Sequence, residues 1–308
     1  MKHPKPEHGS LEWLTLRHRD EQGRIRFGAS EAPVLMGASS YRTVADLALE
    51  KWADPEVKPQ SDAMLRGHLL EPALIQYASQ ILGVTVETPE EMWSEGRLIA
   101  TLDGLTPDGL TIVEAKTTTK YSSDSPLPAE WYWQVLAQMI CVPEAERAVV
   151  VVLDRFQRLG HWVVEREQCK ADMAMLIIQS EDVGDALDEH RIPDGTPLTE
   201  AHIKAMYPTP KGSIELGAVG ITLVSQWLSA KQAKETAEQM EKDARDALTV
   251  MLGEYEIGTV DGQQIVSYKT RNLGSRLDTK ALEADHPDLV AKYKKPSGST
   301  RVLKALEG

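Results

Sequence analysis

Asp103, Glu114 and Lys116 are the residues whose types and spacing suit chemistry. Asp103 stands in the run Leu98-Ile99-Ala100-Thr101-Leu102-Asp103-Gly104-Leu105, ahead of the turn signal Pro107-Asp108-Gly109. Residues 110–116 follow and are rich in β-formers, so the two runs read as a β-hairpin. In a strand, residues i and i+2 share a face, which puts Glu114 and Lys116 side by side and turns Ala115 away. The hairpin brings Asp103 towards Glu114. Two carboxylates beside a lysine are what metal-assisted phosphodiester hydrolysis needs. The carboxylates offer hard oxygen ligands to Mg²⁺, and the ion lowers the pKa of a bound water. The ammonium orients that water or offsets charge on the phosphoryl oxygens. The competing reading of these three residues alone is a solvated turn and an exposed strand.

The elements that must position them read as follows. Residues 43–52 and 65–82 form amphipathic helices. Glu71 flanks the apolar stripe of the second, and Pro72 kinks it or marks a start near Glu71. Residues 83–86 read as a strand. Residues 129–140 form a helix with Trp131, Val135, Gln138 and Met139 at helical spacing. Residues 148–153 are a near-continuous apolar strand, with 161–165 as antiparallel partner, and 170–190 are helical. The prolines and glycines of 193–211 suit a linker. Beyond it lie a long helix over 221–252, a hairpin over 256–269 turned at Asp261-Gly262, a helix capped by Asp278, and a strand over 301–305. The organisation expected is a core over 1–211 and an accessory region over 212–308.

The chain has 308 residues, a formal net charge of −13 and two cysteines. That length supports a sizeable core without staples. Two cysteines exclude a disulfide framework, a four-cysteine zinc site and an iron–sulfur site. No apolar run is long enough to span a membrane, and residues 1–8 lack the apolar core of a signal peptide. A reducing cytoplasm is the expected compartment. The acidic balance argues against coating nucleic acid by bulk charge. It leaves room for an enzyme that meets DNA through a local basic patch. One exists: Arg17, Arg19, Arg24 and Arg26 stand against Asp20 and Glu21. Ser30 follows as an N-cap ahead of Ala32-Pro33. There is no P-loop.

Several motifs recur in a known order: Trp13-Leu14-Thr15-Leu16-Arg17, Gly28-Ala29-Ser30-Glu31, Arg66-Gly67-His68-Leu69-Leu70-Glu71-Pro72, Asp103-Gly104-Leu105, Glu114-Ala115-Lys116, and Trp133-Gln134-Val135-Leu136-Ala137-Gln138-Met139. Over residues 11–165 the chain resembles the YqaJ-type viral recombinases and the phage lambda exonuclease family, within the PD-(D/E)XK nuclease superfamily. The resemblance implies an α/β, restriction-endonuclease-like core with a mixed central sheet flanked by helices. It implies Mg²⁺ or Mn²⁺, with two ions, held by Glu71, Asp103, Glu114 and the Ala115 carbonyl. Lys116 would be the catalytic lysine, and Gln134 would orient the lysine, the water or the scissile strand; Gln138 is the weaker candidate. A 5′-phosphate pocket would use Arg17, Ser30 and Thr101. The segment between Arg17 and Ser30 is longer than the family's, so Arg24 or Arg26 are alternatives to Arg17.

The activity implied is 5′→3′ hydrolysis of one strand at double-stranded DNA ends. It leaves a 3′ single strand for a single-strand annealing protein in phage-type recombination. A ring-shaped homotrimer is implied as well. The competing functions are a structure-specific DNA endonuclease with the same metal site and a non-catalytic end-binding scaffold.

Overall fold

The computed structural model describes residues 1–57, 59–209, 211–271, 277–294 and 303–304. The strand expected over 301–305 lies outside the described residues apart from Leu303 and Lys304. The chain divides into two compact units, Met1–Pro208 and Thr209–Gly308.

The first unit holds two four-stranded sheets. One is built from β1 (Lys2–Pro4), β2 (Phe27–Gly28), β3 (Glu91–Glu95) and β4 (Leu98–Thr101), in the order β1-β3-β4-β2. The other is built from β5 (Gly104–Leu105), β6 (Thr111–Thr117), β7 (Arg147–Leu153) and β8 (Leu159–Glu165), in sequence order. Here β6 and β7 are parallel and the outer pairings antiparallel, so the sheet is mixed. The helices are α1 (Leu11–His18), α2 (Ala32–Leu35), α3 (Val44–Trp52), α4 (Asp62–Leu82), α5 (Ala129–Cys141), α6 (Lys170–Asp188) and α7 (Glu200–Met206).

Period-two alternation in β6 and β7 divides the core between two helices. Ile112, Ala148, Val150 and Val152 join the cluster that includes Val135, Leu136 and Met139 of α5. Val113, Val149 and Val151 join Leu74, Ile75 and Ala78 of α4. A strand buried on both faces has no polar alternation, which is why β7 reads as an unbroken valine run. α5 is the crossover between the parallel strands β6 and β7, a connection too long for a turn.

Four local expectations are corrected. Residues 98–105 are not one arm of a hairpin. Leu98–Thr101 pairs with β3, and only Gly104–Leu105 pairs with β6. The chain changes sheets at the fully buried Leu102 and at Asp103, whose side chain is tied to β6. Residues 83–86 are not a strand: Gly83 ends α4 in the left-handed region at φ +68°, and the Val86 amide donates to the Ser79 hydroxyl at 2.9 Å. Of the two readings of Pro72, the helix start near Glu71 falls, because Pro72 lies inside α4, which starts at the Ser61 cap. The expected linker contains α7, which is capped by Thr199 and held to α3 by His202 Nε2 and Asp46 Oδ1 at 2.9 Å.

In the second unit, α8 (Gly217–Leu252) is followed by the hairpin of β9 (Ile257–Val260) and β10 (Gln263–Ser267). Both residues of its Asp261-Gly262 turn are left-handed, as a two-residue I′ turn requires. α9 (Thr279–Asp285) begins at Asp278, whose carboxylate accepts from the amides of Lys280 and Ala281, and α10 (Pro287–Tyr293) follows.

Candidate active site

Glu114 and Lys116 share the parity of Ile112 and so face α5. In the β5–β6 register Gly104 lies opposite Val113, and one step further puts Asp103 opposite Glu114. Asp103 Oδ2 accepts from the Ala115 amide at 2.8 Å, which fixes its carboxylate beside β6. Glu114 is buried, and its Oε1 receives Lys116 Nζ and Gln134 Nε2, both at 2.6 Å. Its Oε2 receives Gln138 Nε2 at 2.5 Å. Gln134 Oε1 accepts from Lys116 Nζ at 2.9 Å. Gln134 and Gln138 lie one turn apart on α5, so one helix face presents both amides to one carboxylate.

Burial, and then the charges of Glu114 and Glu71, push the Asp103 carboxyl well above its ordinary range. Burial also raises Glu71, with Glu114 adding to the effect against His68 and Lys5. At Lys116 burial acts to lower the ammonium's pKa, but Glu114 and Asp103 outweigh it and hold the group protonated. Three carboxylates thus crowd around one ammonium, a cluster short of positive charge. Among the described residues no group of three or more His, Cys, Asp or Glu side chains is gathered as a ligand shell; Glu114 is turned towards the two amides and Lys116. The donor chemistry and charge fit a hard divalent cation.

A pocket of about 290 Å³ joins this cluster to the basic N-terminal segment; its lining includes Glu71, Asp103 and Gln134 together with Arg17, Ser30 and Thr101. Trp13 and Arg17 are one turn apart on α1, and the guanidinium stacks 4.2 Å from the indole. Trp13 Nε1 donates to Thr101 Oγ1 at 3.2 Å, and Arg17 Nη2 donates to Ser30 Oγ at 2.8 Å. Each hydroxyl accepts in these bonds and keeps its own proton for another acceptor. Ser30 is therefore not the expected N-cap: it sits in a 3₁₀ turn, and α2 begins without a side-chain cap.

Close packing and a buried ion pair support this arginine. A Cβ on Gly28 would fall 2.0 Å from Arg17 Nη2, so only glycine leaves the guanidinium its place. Lys51, itself 1% exposed, pairs with Glu31 at 2.8 Å and donates to the Arg17 carbonyl at 3.0 Å. Glu31 also accepts from the Gly28 amide at 2.8 Å. Burial pushes the Glu31 carboxyl up, yet Lys51 and Arg17 together hold it below its usual value. With Glu31 committed to Lys51, Arg17 has no carboxylate in ion-pair range among the described residues.

Arg24 and Arg26 are not brought to this pocket. Arg24 pairs with Asp20 at 2.8 Å in a surface turn. Arg26 is buried, donates to the Leu16 carbonyl at 3.3 Å, and leaves its Nε without a partner. Trp131 is core, edge-on to Tyr121 and Trp162. Lys5, His8 and His68 also line the pocket. His68 stands in the Arg66–Pro72 motif, whereas no local signal in the sequence marks Lys5 and His8, because β1 and a turn deliver them from outside the motif set.

Residues 12–145 match the YqaJ-like viral recombinase domain family. The lining residues from Trp13 to Gln134 fall inside this matched segment; Lys5 and His8 precede it. The chain is 26% identical over 305 residues to the uncharacterized protein YqaJ of Bacillus subtilis (strain 168), covering 92% of this chain and 90% of that protein. An alkaline exonuclease, LHK-Exo, from Laribacter hongkongensis shares 20% identity at a TM-score of 0.47, over 59% of this chain and 94% of its own. A phage related exonuclease from Haemophilus somnus 129PT shares 11% at 0.43, over 54% and 96%. No helix among the described residues is long and apolar enough to cross a membrane.

Proposed function

We propose that this protein is a metal-dependent exonuclease of PD-(D/E)XK type. It acts 5′→3′ on double-stranded DNA ends and leaves a 3′ single strand for an annealing protein. The observation that carries this reading is a pocket in which Glu71, Asp103 and Gln134, the near side of the carboxylate–lysine cluster, face an arginine–hydroxyl cradle of Arg17, Ser30 and Thr101. The cradle suits a terminal phosphate: Arg17 offers a planar fork, and Ser30 and Thr101 retain hydroxyl protons. Residues 1–211 form the nuclease core, and residues 212–308 form the accessory region that docks a partner or a neighbouring subunit. The working assembly is a ring trimer in the cytoplasm, which would retain DNA without ATP.

Glu71, Asp103 and Glu114, with the Ala115 carbonyl, would hold Mg²⁺ or Mn²⁺. The ion would supply Lewis acidity and a bound water of lowered pKa. The chain's own residues do the rest. Asp103 is fixed to β6 by the Ala115 amide. Gln134 holds Lys116 and Glu114 in register from α5. Lys116, kept protonated by its carboxylate neighbours, offsets charge that builds on the scissile phosphate.

The test is hydrolysis of linear 5′-phosphorylated duplex against closed circular duplex, in Mg²⁺ and in EDTA. Degradation of the linear form alone, in Mg²⁺ alone, is expected. Equal loss of the circle would favour the endonuclease, and no loss of either would favour the scaffold. Lys116→Ala is expected to lower hydrolysis by about 10²–10³-fold with DNA binding retained. Full activity in that variant removes the lysine from the mechanism.

A further inference from the structure

Two residues of the pocket's lining, Lys5 and His8, lie ahead of the segment that matches the recombinase family. β1 is paired to β3, with His3 opposite Met92. Lys5 continues that edge: its amide donates to the Glu90 carbonyl at 3.0 Å and its Nζ to the Pro89 carbonyl at 3.3 Å. Gly9, at φ +78°, then turns the chain into α1. The turn sets the His8 ring 4.5 Å from the Trp13 ring, the same indole on which Arg17 stacks.

His8 has an incomplete environment. Among the described residues neither of its ring nitrogens hydrogen-bonds the protein, although the ring lines the pocket beside Lys5, Arg17 and His68. Its neighbours are cationic or capable of being so, and burial with the charge of Arg17 keeps its pKa below the ordinary histidine value. At neutral pH the ring is then neutral and carries one N–H donor. A donor without an acceptor, beside an arginine with no ion-pair partner among the described residues and near Lys5, is the complement of a phosphate oxygen. Trp13 ties the two sides together, since it packs on His8, carries Arg17 and donates to Thr101.

We propose that His8, assisted by Lys5, is a further ligand of the 5′-terminal phosphate and sets how strictly the pocket selects phosphorylated over hydroxyl ends. This rests on the end-binding reading above. Arg17 and its hydroxyls hold the phosphate from the domain side, and His8 and Lys5 close on it from the N-terminal arm. A 5′-hydroxyl end leaves these donors and charges unanswered.

The experiment compares kcat/KM on 5′-phosphorylated and 5′-hydroxyl linear duplex, for the full chain and for Arg17→Ala, His8→Phe, His8→Gln and Lys5→Met. Phenylalanine keeps a ring on Trp13 and removes the donor; glutamine restores an N–H. His8→Phe is expected to lower the phosphate-to-hydroxyl ratio about tenfold, the size of one charge-assisted hydrogen bond, chiefly through KM on the phosphorylated end. His8→Gln is expected to recover part of it, and Lys5→Met to shift the ratio in the same direction as His8→Phe. A ratio unchanged in His8→Phe, or a loss shared equally by both substrates, overturns the proposal. Should His8→Phe fail to fold, an unchanged ratio in Lys5→Met overturns it as well. If the unaltered chain shows no preference, the end-binding reading itself falls. If the preference exists and collapses in Arg17→Ala but not in His8→Phe, only the role of His8 falls.

Discussion

The two walls of the pocket carry opposite electrostatic excesses and relieve them differently. On the β6 side, Glu71, Asp103 and Glu114 crowd around Lys116, and the excess is negative. On the α1 side, Arg17, Lys5 and His8 share a wall, and Glu31, the carboxylate that acts most strongly on Arg17, is committed to Lys51. The acidic wall relieves its excess by raising the pKa of Asp103, so that a proton can stand in for a cation. An arginine does not give up its proton, so the basic wall has no such outlet. Its excess must be held by packing: the indole of Trp13, the bare backbone of Gly28 and the Glu31–Lys51 prop. One wall is thus sensitive to pH and metal, and the other to shape.

The largest effect expected from breaking this contrast is at the prop. Lys51→Met leaves Glu31 buried at 4% exposure without its partner. It should cost about 3–5 kcal/mol of stability, read by chemical denaturation. Adding Glu31→Gln should recover much of it, since an uncompensated charge, rather than a lost attraction, is the larger part of the penalty. If the single variant denatures like the unaltered chain, the basic wall is not held by this pair.

Gly28→Ala tests shape without removing any charge. The backbone at Gly28, with φ −66° and ψ 149°, accepts alanine, so the fold should stay within about 1 kcal/mol. The new methyl must displace the Arg17 guanidinium, which is the near neighbour of its Cβ. Selection of 5′-phosphorylated over 5′-hydroxyl ends should fall about tenfold, the worth of a misplaced bidentate contact. Retained selectivity would show that the arginine reaches its ligand from elsewhere.

The acidic wall should respond to pH with a definite sign. The Asp103 carboxyl is raised in the folded chain, so the fold binds more protons than the unfolded chain above the ordinary carboxylate pKa. In EDTA, stability should therefore fall as pH rises from that value through the raised one. Mg²⁺ should reverse the loss, with a larger thermal shift at higher pH. Asp103→Asn should flatten the EDTA curve and shrink the Mg²⁺ effect. Each tenfold by which folding tightens the carboxyl's hold on its proton contributes about 1.4 kcal/mol to that curve. Parallel melting curves for the variant and the unaltered chain would disconnect Asp103 from the charge excess.

Much of the fold was legible because it rests on local periodicity. The valine run of β7 and the amphipathic α5 follow from it, as does the shared face of Glu114 and Lys116. What was not legible depends on tertiary choices. Asp103-Gly104 is a turn dipeptide, but nothing local shows that the chain there leaves one sheet for another. Thr199 and His202 cap α7 inside a proline-bounded stretch that composition assigns to a linker. Within the site, the types of Arg17, Ser30 and Thr101 were visible, but their joining through Trp13 was not, since Thr101 meets α1 only once β4 is in place. The turn that brings His8 to the indole needs β1 paired to β3, an edge with no strong strand signal of its own.

Arg24 supplies the smallest expected effect and the sharpest control. It belongs to the same basic segment as Arg17, and composition alone does not separate them. The structure puts Arg24 in a turn closed by Asp20, whose Oδ1 accepts from the amides of Gln22 and Arg24, both at 2.9 Å. Those backbone bonds survive removal of the Arg24 side chain and keep the Asp20 carboxylate partnered, and a pair whose cation is half-exposed contributes little. Arg24→Ala should change stability by less than about 0.5 kcal/mol and leave end selectivity where it was. A collapse of selectivity there, matching Arg17→Ala, would mean that the whole segment binds DNA by diffuse charge. The contrast between a metal-responsive wall and a shape-held wall would then lose its second member.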